Sequence, residues 1–268
     1  MTAKQRKLRL SKRDQRILRH VARYGLTTPD ILHQAYFPGR KRGAMLSTLR
    51  RLYGRPPRYR LLRPRQLFGK RKYCQLTRKG ALLIDASEEL ARRFGIEARA
   101  RRYALLWYMH EQGLGNRGLF NPRDFPQQFA VAGQRLPRKN FFIEETESGP
   151  KLGFIVIHLG GEAQRTARRC TAIVARLLRT VWFADYFMAE RFVLSVLTIT
   201  EGTRQELLAR LCPHMTRVLA PLASKFGVTP YGELPLEIRV VVVPDLVHLV
   251  PGQRTVATQR KTPKARKT

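Results

Sequence analysis

Acidic residues are almost missing from the first third of this chain of 268 residues. Residues 1–80 contain 24 Lys or Arg but only two carboxylates, Asp14 and Asp30, so this segment holds +22 of the total formal charge of +33. These basic residues could simply form a solvated surface, but such a surface normally mixes both signs of charge, which this segment does not. A positive field of this density instead favours a polyanion, which binds by releasing its counterions.

The sequence also has few cysteines and no long apolar run. Cys74, Cys170 and Cys212 are odd in number and widely spaced, so they form neither a disulfide framework nor a CxxC zinc pattern. No stretch approaches the ~18 consecutive apolar residues of a transmembrane helix, and the basic N-terminus lacks the apolar segment of a secretory signal. We therefore expect a cytoplasmic protein without a membrane partner.

Motifs of common enzyme chemistry are missing as well. There is no GxxxxGK[ST] phosphate loop, because Gly160-Gly161 is an isolated pair. Cys212-Pro213-His214 has no second pair of zinc ligands nearby. His158, on a predicted strand, is more typical of a packed histidine than of a catalytic base. The sequence therefore predicts no catalytic residue, no metal site and no cofactor.

Residues 1–85 have the pattern of helices followed by a basic hairpin. Local signals mark the helix ends: a capping box at Ser11 and Asp14, a left-handed stop at Gly25, a start at Thr28-Pro29, and a cap at Thr77. A third helix is predicted over residues 43–53. The expected buried positions of the four helices are Ile17, Leu18, Val21, Tyr24, Ile31, Leu32, Ala35, Leu46, Leu49, Leu52 or Tyr53, and Ala81, Leu82 and Leu83.

The basic hairpin is predicted from two runs, residues 58–63 and 72–76, with a long basic tip over residues 64–71. Three helices and then a hairpin is the order of a winged helix, in which the third helix enters the DNA major groove and the wing touches the backbone or minor groove. Duplex DNA is favoured over RNA, whose major groove is too deep and narrow. The candidate contacts are Arg42, Ser47, Thr48, Arg50 and Arg51 on the helix, and Arg58, Arg60, Arg65, Lys70, Arg71 and Lys72 on the hairpin.

The rest of the chain predicts three further parts. Residues 86–135 are expected to be a helical linker, with a helix over residues 87–111, followed by a surface loop. Residues 136–253 have the element order β-β-α-β-α-β of an α/β domain. Residues 254–268 are expected to be a disordered basic tail that adds non-specific affinity. The whole chain is thus predicted to be of the α+β class.

A long helix predicted over about residues 162–187 carries arginines on the side opposite to its apolar residues. No acidic partner occurs four residues away from them. Two interpretations remain open, a solvated surface or a phosphate track that extends a DNA contact onto the second domain. The arginines of this stripe are Arg165, Arg168, Arg169, Arg176 and Arg179, of which Arg165, Arg169 and Arg176 are the candidate DNA contacts.

Short motifs extend over residues 10–85 of the sequence. They are Asp14-x-x-Ile17-Leu18, Thr27-Thr28…Ile31, Leu46-x-x-Leu49-x-x-Leu52 and Tyr73-x-x-Leu76-Thr77-x-x-Gly80. In these motifs the chain resembles the replication-relaxation family of plasmid and mobile-element proteins, and over residues 136–212 it resembles that family in element order. The resemblance implies a winged helix, a second domain with a restriction-endonuclease-like core, and a role in plasmid replication, relaxation or mobilisation.

The chain departs from this family where a nuclease would hold its metal ion. Such a core needs carboxylates on adjacent strands and a nearby lysine, but Arg138-Lys139-Asn140 replaces the Pro-Asp of the family, and Val156 or His158 stands where the second acid is expected. We therefore expect a nuclease-like, inactive scaffold. The nearby acids are Glu162 and the pair Glu144 and Glu145, which is expected to be exposed beside a turn.

The sequence thus predicts a non-enzymatic accessory protein whose partner is double-stranded DNA. The second domain is expected to serve homodimerisation, recruitment of a relaxase or replication protein, or added contact to the DNA backbone. Two alternatives stay open. One is a metal-dependent nuclease that uses Glu144 or Glu145 with Glu162, and the other is a scaffold for a relaxase or replication protein.

Overall fold

A computed structural model describes residues 10–54, 60–110, 115–120, 140–223 and 235–250 of the chain. It is a mixed α+β protein, which confirms the predicted class. Its helices are α1 Lys12–Tyr24, α2 Pro29–Tyr36, α3 Arg42–Tyr53, α4 Arg78–Leu83, α5 Ile96–His110, α6 Ala163–Leu177, α7 Val181–Met188 and α8 Glu201–Ala223. Its strands are β1 Leu62–Phe68, β2 Arg71–Leu76, β3 Arg117–Leu119, β4 Phe141–Thr146, β5 Gly149–Ile157, β6 Phe192–Thr198 and β7 Glu237–Val242. Short 3₁₀ helices lie at Glu88–Ala91 and Leu246–Leu249.

The predicted helix ends of the N-terminal part are confirmed. Ser11 Oγ accepts the N–H of Asp14 at 3.1 Å, and the Asp14 carboxylate accepts the N–H of Ser11 at 3.0 Å, which completes the capping box. Thr28 and Thr77 cap α2 and α4 through their hydroxyls, and Gly25 ends α1 with φ of 77°. These signals depend only on neighbours in sequence, which is why they could be read without a structure.

Four predicted core positions are wrong, among them Ala35 on α2, which is exposed. Leu46 on α3 is 40% exposed, whereas its neighbour Met45 is fully buried. Leu82 and Leu83 on α4 are also exposed. Neighbouring residues on a helix point about 100° apart, so an error of one residue in the apolar pattern selects the wrong side of a short helix. The core that α1, α2, α3 and the hairpin share is formed by Ile17, Leu18, Val21, Leu32, Phe37, Met45, Leu49, Leu52, Leu61, Leu62, Cys74, Leu76 and Ala81.

The hairpin has longer strands and a tighter tip than predicted. Antiparallel β1 and β2 pair from Leu62 with Leu76 to Phe68 with Arg71, so only Gly69 and Lys70 form the turn. Pro64 suggested the end of a strand, but a two-stranded sheet has only edge strands, where a residue without an N–H is tolerated. The prediction of a long basic tip over residues 64–71 is therefore wrong.

A five-stranded sheet with the order β3-β4-β5-β6-β7 forms the centre of the second part. β3, β4 and β5 are antiparallel, and β5, β6 and β7 are parallel. The predicted β-β-α-β-α-β order is present, but β3 comes from the segment predicted to be a surface loop. The predicted helix over residues 162–187 is divided into α6 and α7. Thr180 donates its hydroxyl to the Leu177 carbonyl at 2.6 Å in the break between them, where no Gly or Pro gave a signal.

Both faces of the sheet are covered. Helices α6, α7 and α8 pack on one face, against side chains such as Phe154, Val156 and Leu194. Helix α5 packs on the other face, where Tyr108 and Ser195 share a buried hydrogen bond of 2.7 Å. None of the helices in the described ranges is both long and apolar enough to cross a membrane.

Helix α5 belongs to the core, although its segment was predicted to be a linker with a helix over residues 87–111. The segment contains the 3₁₀ helix and then α5, of which Leu106 and Tyr108 are fully buried. One continuous cluster joins α5 to the N-terminal part and to the sheet. From the N-terminal part it includes Tyr24, Leu26, Ile31, Leu67 and Tyr73, and from the sheet Phe142, Ile155, Ile157 and Leu197. Trp107 is 5% exposed in the same cluster.

Candidate nucleic-acid interface

Helix α3 presents one exposed side without acidic residues. Gly43, Ser47 and Arg50 are exposed and lie on that side because steps of three, four and seven residues nearly superpose on a helix. Arg50 forms no ion pair with any residue that the structure describes. Leu46 adds apolar area beside them. Burial of Met45, Leu49 and Leu52 on the opposite side holds α3 in this orientation.

The two other candidate arginines of α3 are held by the only two acids of residues 1–80. Arg42 binds Asp30 at 2.8 Å with both side chains largely exposed, and Arg51 binds the fully buried Asp14 at 2.7 Å. Each of these two guanidinium groups thus has an acidic partner, whereas Arg50 has none among the described residues. Thr48, predicted to contact DNA, is 9% exposed and donates to the Ala44 carbonyl at 3.2 Å. Its assignment to the exposed side is wrong, because it lies three residues after buried Met45 and four before buried Leu52.

The hairpin is held against the second part of the chain. Arg71 binds Asp245 at 2.9 Å, and the ring of Phe68 lies 6.0 Å from that of Tyr103 and 5.5 Å from that of His248. Lys70 and Lys72 are exposed at the tip, and Arg60 is exposed near its base. Arg58 lies outside the described residues. The tip thus presents lysines to solvent from a fixed position.

Arg65 does not lie with these lysines. It pairs in register with Tyr73 on the side of the hairpin that α5 covers, and Arg63 lies two residues before it on the same side. Arg99 of α5 reaches the same hairpin and donates to the Gln66 carbonyl at 3.2 Å. Burial raises the pKa of Tyr73, and the surrounding arginines oppose that rise.

Helix α1 adds a basic side that the sequence reasoning missed. Arg13, Arg16, Arg19 and Arg23 are exposed opposite the buried residues of this helix. The guanidinium of Arg13 lies 4.9 Å from the centre of the Phe37 ring, and that of Arg16 lies 5.6 Å from the Tyr36 ring. The three- and four-residue steps between these arginines could have predicted this basic side from the sequence.

The arginine stripe lies on the other side of the molecule. Arg165, Arg168, Arg169, Arg176 and Arg179 are all exposed, and none is ion-paired within the described ranges. Helix α6 packs on the sheet face opposite to α5 and the N-terminal part. The structure therefore does not bring Arg165, Arg169 and Arg176 together with α3 on one surface.

The acids of the alternative nuclease are not arranged as expected. Glu144 is 4% exposed instead of exposed beside a turn, because β4 continues to Thr146. Its carboxylate binds Arg117 at 2.7 Å and Arg239 at 2.6 Å. Both oxygens are thus occupied by guanidinium groups. Glu145 is exposed, and Glu162 precedes α6 as its N-cap residue without a side-chain cap.

The polar groups at the carboxyl ends of the parallel strands include His158, which is 4% exposed. Its Nδ1 lies 2.8 Å from Thr166 Oγ1, and burial lowers its pKa. The residues described here contain no cluster of three or more His, Cys, Asp or Glu with the geometry of a metal site. No family model, no curated protein and no solved structure matches this chain.

Proposed function

We propose that this protein binds duplex DNA through its N-terminal part, which is arranged as a winged helix with α3 seated in the major groove. The observation that carries the proposal is the exposed side of α3. It combines two small residues, Gly43 and Ser47, with the unpaired Arg50, inside a segment of net charge +22. A side with small residues and no carboxylate allows close approach to base edges and phosphates.

Each basic group has a separate role in this proposal. Arg50 reaches base edges, where a guanidinium binds the O6 and N7 of guanine. Arg42 and Arg51, positioned by Asp30 and Asp14, flank it near the phosphates. Lys70 and Lys72 at the hairpin tip contact phosphates, which are alike in every sequence.

The role of the second part rests on the resemblance to the replication-relaxation family. We propose an accessory function in plasmid or mobile-element replication, relaxation or mobilisation, in the cytoplasm, with a restriction-endonuclease-like scaffold that lacks the chemistry. The engagement of Glu144 by Arg117 and Arg239 supports the last point, since a carboxylate between two arginines is a poor metal ligand. This scaffold offers a surface for a relaxase, a replication protein or a second copy of the chain.

The test compares two serine substitutions that change the net charge equally. Ser47→Glu places a carboxylate on the exposed side of α3, where it repels phosphates, whereas Ser148→Glu lies in the exposed turn between β4 and β5. In a filter-binding titration with duplex DNA, we expect Ser47→Glu to weaken binding about tenfold or more and Ser148→Glu to leave it nearly unchanged. Equal losses in the two variants would contradict the role of α3.

Salt dependence tests the ligand class itself. If about six to eight phosphates are neutralised, the affinity of the unaltered chain for duplex DNA falls by about 10³ or more between ~50 and ~200 mM salt. A flat response would remove DNA as the ligand.

A further inference from the structure

The two sides of the hairpin have opposite chemistry. Leu62, Cys74 and Leu76 face the three-helix core, while Arg63 and Arg65 alternate with them and pair with Gln75 and Tyr73. The chain between the 3₁₀ helix and α5 covers this second side. There the Gln75 amide donates to the carbonyls of Leu90 and Arg92. The arginines are thus enclosed between the hairpin and the segment that leads into α5.

Three guanidinium groups in this enclosure have a buried donor without an acceptor. The Nε atoms of Arg63, Arg65 and Arg99 are buried and have no hydrogen-bond partner among the described residues. A buried donor that gives up its bond to water without finding another acceptor is costly. All three side chains are partly exposed, so their outer nitrogens reach the surface.

Among the residues that the structure describes, no carboxylate forms an ion pair with Arg63, Arg65 or Arg99. The groups that act electrostatically on the Tyr73 phenol are Arg63, Arg65, Arg93 and Arg99. Burial lowers the pKa of Arg63, and repulsion by Arg65 and Arg60 lowers it further, while Tyr73 opposes the shift. Two acids near this segment bind elsewhere, since Glu88 pairs with Arg78 and Glu97 with Arg101. Several arginines that share a partly buried position without a counter-charge destabilise the chain until an anion joins them.

We propose that Arg63, Arg65 and Arg99 form a binding site for a phosphate group between the hairpin and α5. A guanidinium presents Nε and Nη as a fork that matches two phosphate oxygens, and unpaired Nε donors are the part of this fork that the protein leaves open. Two of the forks come from one strand and the third from α5, so a bound phosphate would join the hairpin to that helix. The Tyr73 hydroxyl lies near them, since Arg65, Arg99 and Arg63 act on it electrostatically.

The phosphate has two sources, a free phosphate anion or the backbone of a DNA duplex. The first source is independent of the proposed function, and the second rests on it. Because the site belongs to the hairpin and not to α3, loss of the site and loss of groove contact are distinguishable. Arg65→Ala would remove the phosphate site, and Ser47→Glu would remove the groove contact of α3.

The test measures thermal unfolding of the full chain in inorganic phosphate and in chloride at equal ionic strength. The variants are Arg65→Ala and Arg99→Lys, and the control is Arg168→Ala, an exposed arginine of α6 outside the enclosure. We expect phosphate to raise the Tm of the unaltered chain and the control equally. In both variants the phosphate concentration needed for the same rise increases about tenfold or more.

The same experiment excludes a purely structural role of the arginines. In chloride, Arg65→Ala relieves repulsion, so its Tm is equal to or above that of the unaltered chain. A lower Tm in chloride together with an unchanged response to phosphate would overturn the proposal. An equal phosphate-dependent rise in Tm in all variants would also overturn the proposal, because it would show that phosphate only screens the charge of the whole chain. Arg99→Lys keeps the charge and loses the fork, and it serves if Arg65→Ala does not fold.

A competition arm separates the two sources. A short duplex is added in excess, and the phosphate-dependent rise in Tm is measured again. If DNA phosphate occupies the site, the rise disappears in the unaltered chain. If free phosphate is the ligand, the rise persists beside bound DNA.

Discussion

His20 and His110 lie where α1 contacts α5, with ring centres 5.0 Å apart. His20 Nε2 lies 2.9 Å from Thr27 Oγ1. Burial lowers the pKa of His20 to about 3, and the neighbouring His110 and Arg23 contribute by repulsion. Burial also lowers the pKa of His110 to about 4, again with a contribution from Arg23. Both rings are therefore neutral in the folded chain at neutral pH.

These shifts predict that acid destabilises the protein. The folded pKa values are below the ordinary value of 6.5, so the unfolded chain binds protons first as the pH falls. The stability is fully present above about pH 6.5 and is lost progressively as the pH falls towards 4 and then 3. Between about pH 6.5 and 5 we expect a loss of about 2 kcal/mol for each histidine.

Urea unfolding at these two pH values measures the loss. His110→Gln is expected to remove the contribution of that ring, about 2 kcal/mol, because a group that does not titrate replaces it. His20 and His158, whose pKa values burial also lowers, keep their contributions. His214→Gln, on α8 at the other side of the sheet, is the control and keeps the full dependence. If His110→Gln left the pH dependence of the unfolding free energy unchanged, burial of the neutral His110 ring would not be its cause.

At the scale of elements, the pairing of β4 with β5 depends on one glycine. Phe142 and Gly153 are directly opposite each other in the two antiparallel strands. A Cβ added to Gly153 would overlap the ring of Phe142, which belongs to the core between the sheet and α5. The ring thus occupies the space that a side chain on β5 would need.

Gly153→Ala is therefore expected to destabilise the chain by about 1–3 kcal/mol, because the buried ring must move within a packed core. Gly118→Ala on β3 is the matched control, since its added Cβ meets no atom within 4 Å. The free energy of unfolding in urea measures both. An equal effect in the two variants would show that loss of glycine, and not the overlap with Phe142, determines the result.

The helix caps were predictable from the sequence, whereas the hairpin tip and the burial of Glu144 were not. The caps at Ser11, Thr28 and Thr77 need only neighbours three residues away, so they were predictable. The position of the hairpin tip was not, since Arg71 binds Asp245 far along the chain. Burial of Glu144 was equally hidden, because its partner Arg239 comes from β7. Long-range partners leave no periodic signal in a sequence.

For the candidate interface, the sequence predicted the basic composition and the order of helices. It predicted only some of the exposed side chains. Ser47 and Arg50 are exposed, as a DNA contact requires. Thr48 is not, and Arg65 faces α5 instead of solvent. Which side of a short helix is buried depends on the exact packing angle, which the apolar pattern does not define.

At the scale of the whole molecule, the core around α5 joins the N-terminal part to the sheet. Tyr24, Leu26 and Tyr73 are buried there together with Ile155 and Leu197. A chain cut after residue 85 would expose the first three of these side chains to water. The N-terminal part and the sheet therefore stabilise each other.

This shared core predicts a single cooperative transition for the full chain. Trp107 is 5% exposed in the core, so its fluorescence, measured in a Trp182→Phe chain that lacks the other tryptophan, reports on the junction, while circular dichroism reports on all helices. We expect both signals to change at the same urea concentration. Two separate transitions would mean that the parts unfold independently and that the junction contributes little.

The sheet also separates the basic surfaces of the molecule. The N-terminal part with α3 packs towards one face, and the arginines of α6 are exposed beyond the helices on the other. A straight duplex seated on α3 leaves those arginines available. If the stripe also binds phosphates, one copy of the chain tethers two DNA segments and draws separate duplexes, or distant sites of one plasmid, together.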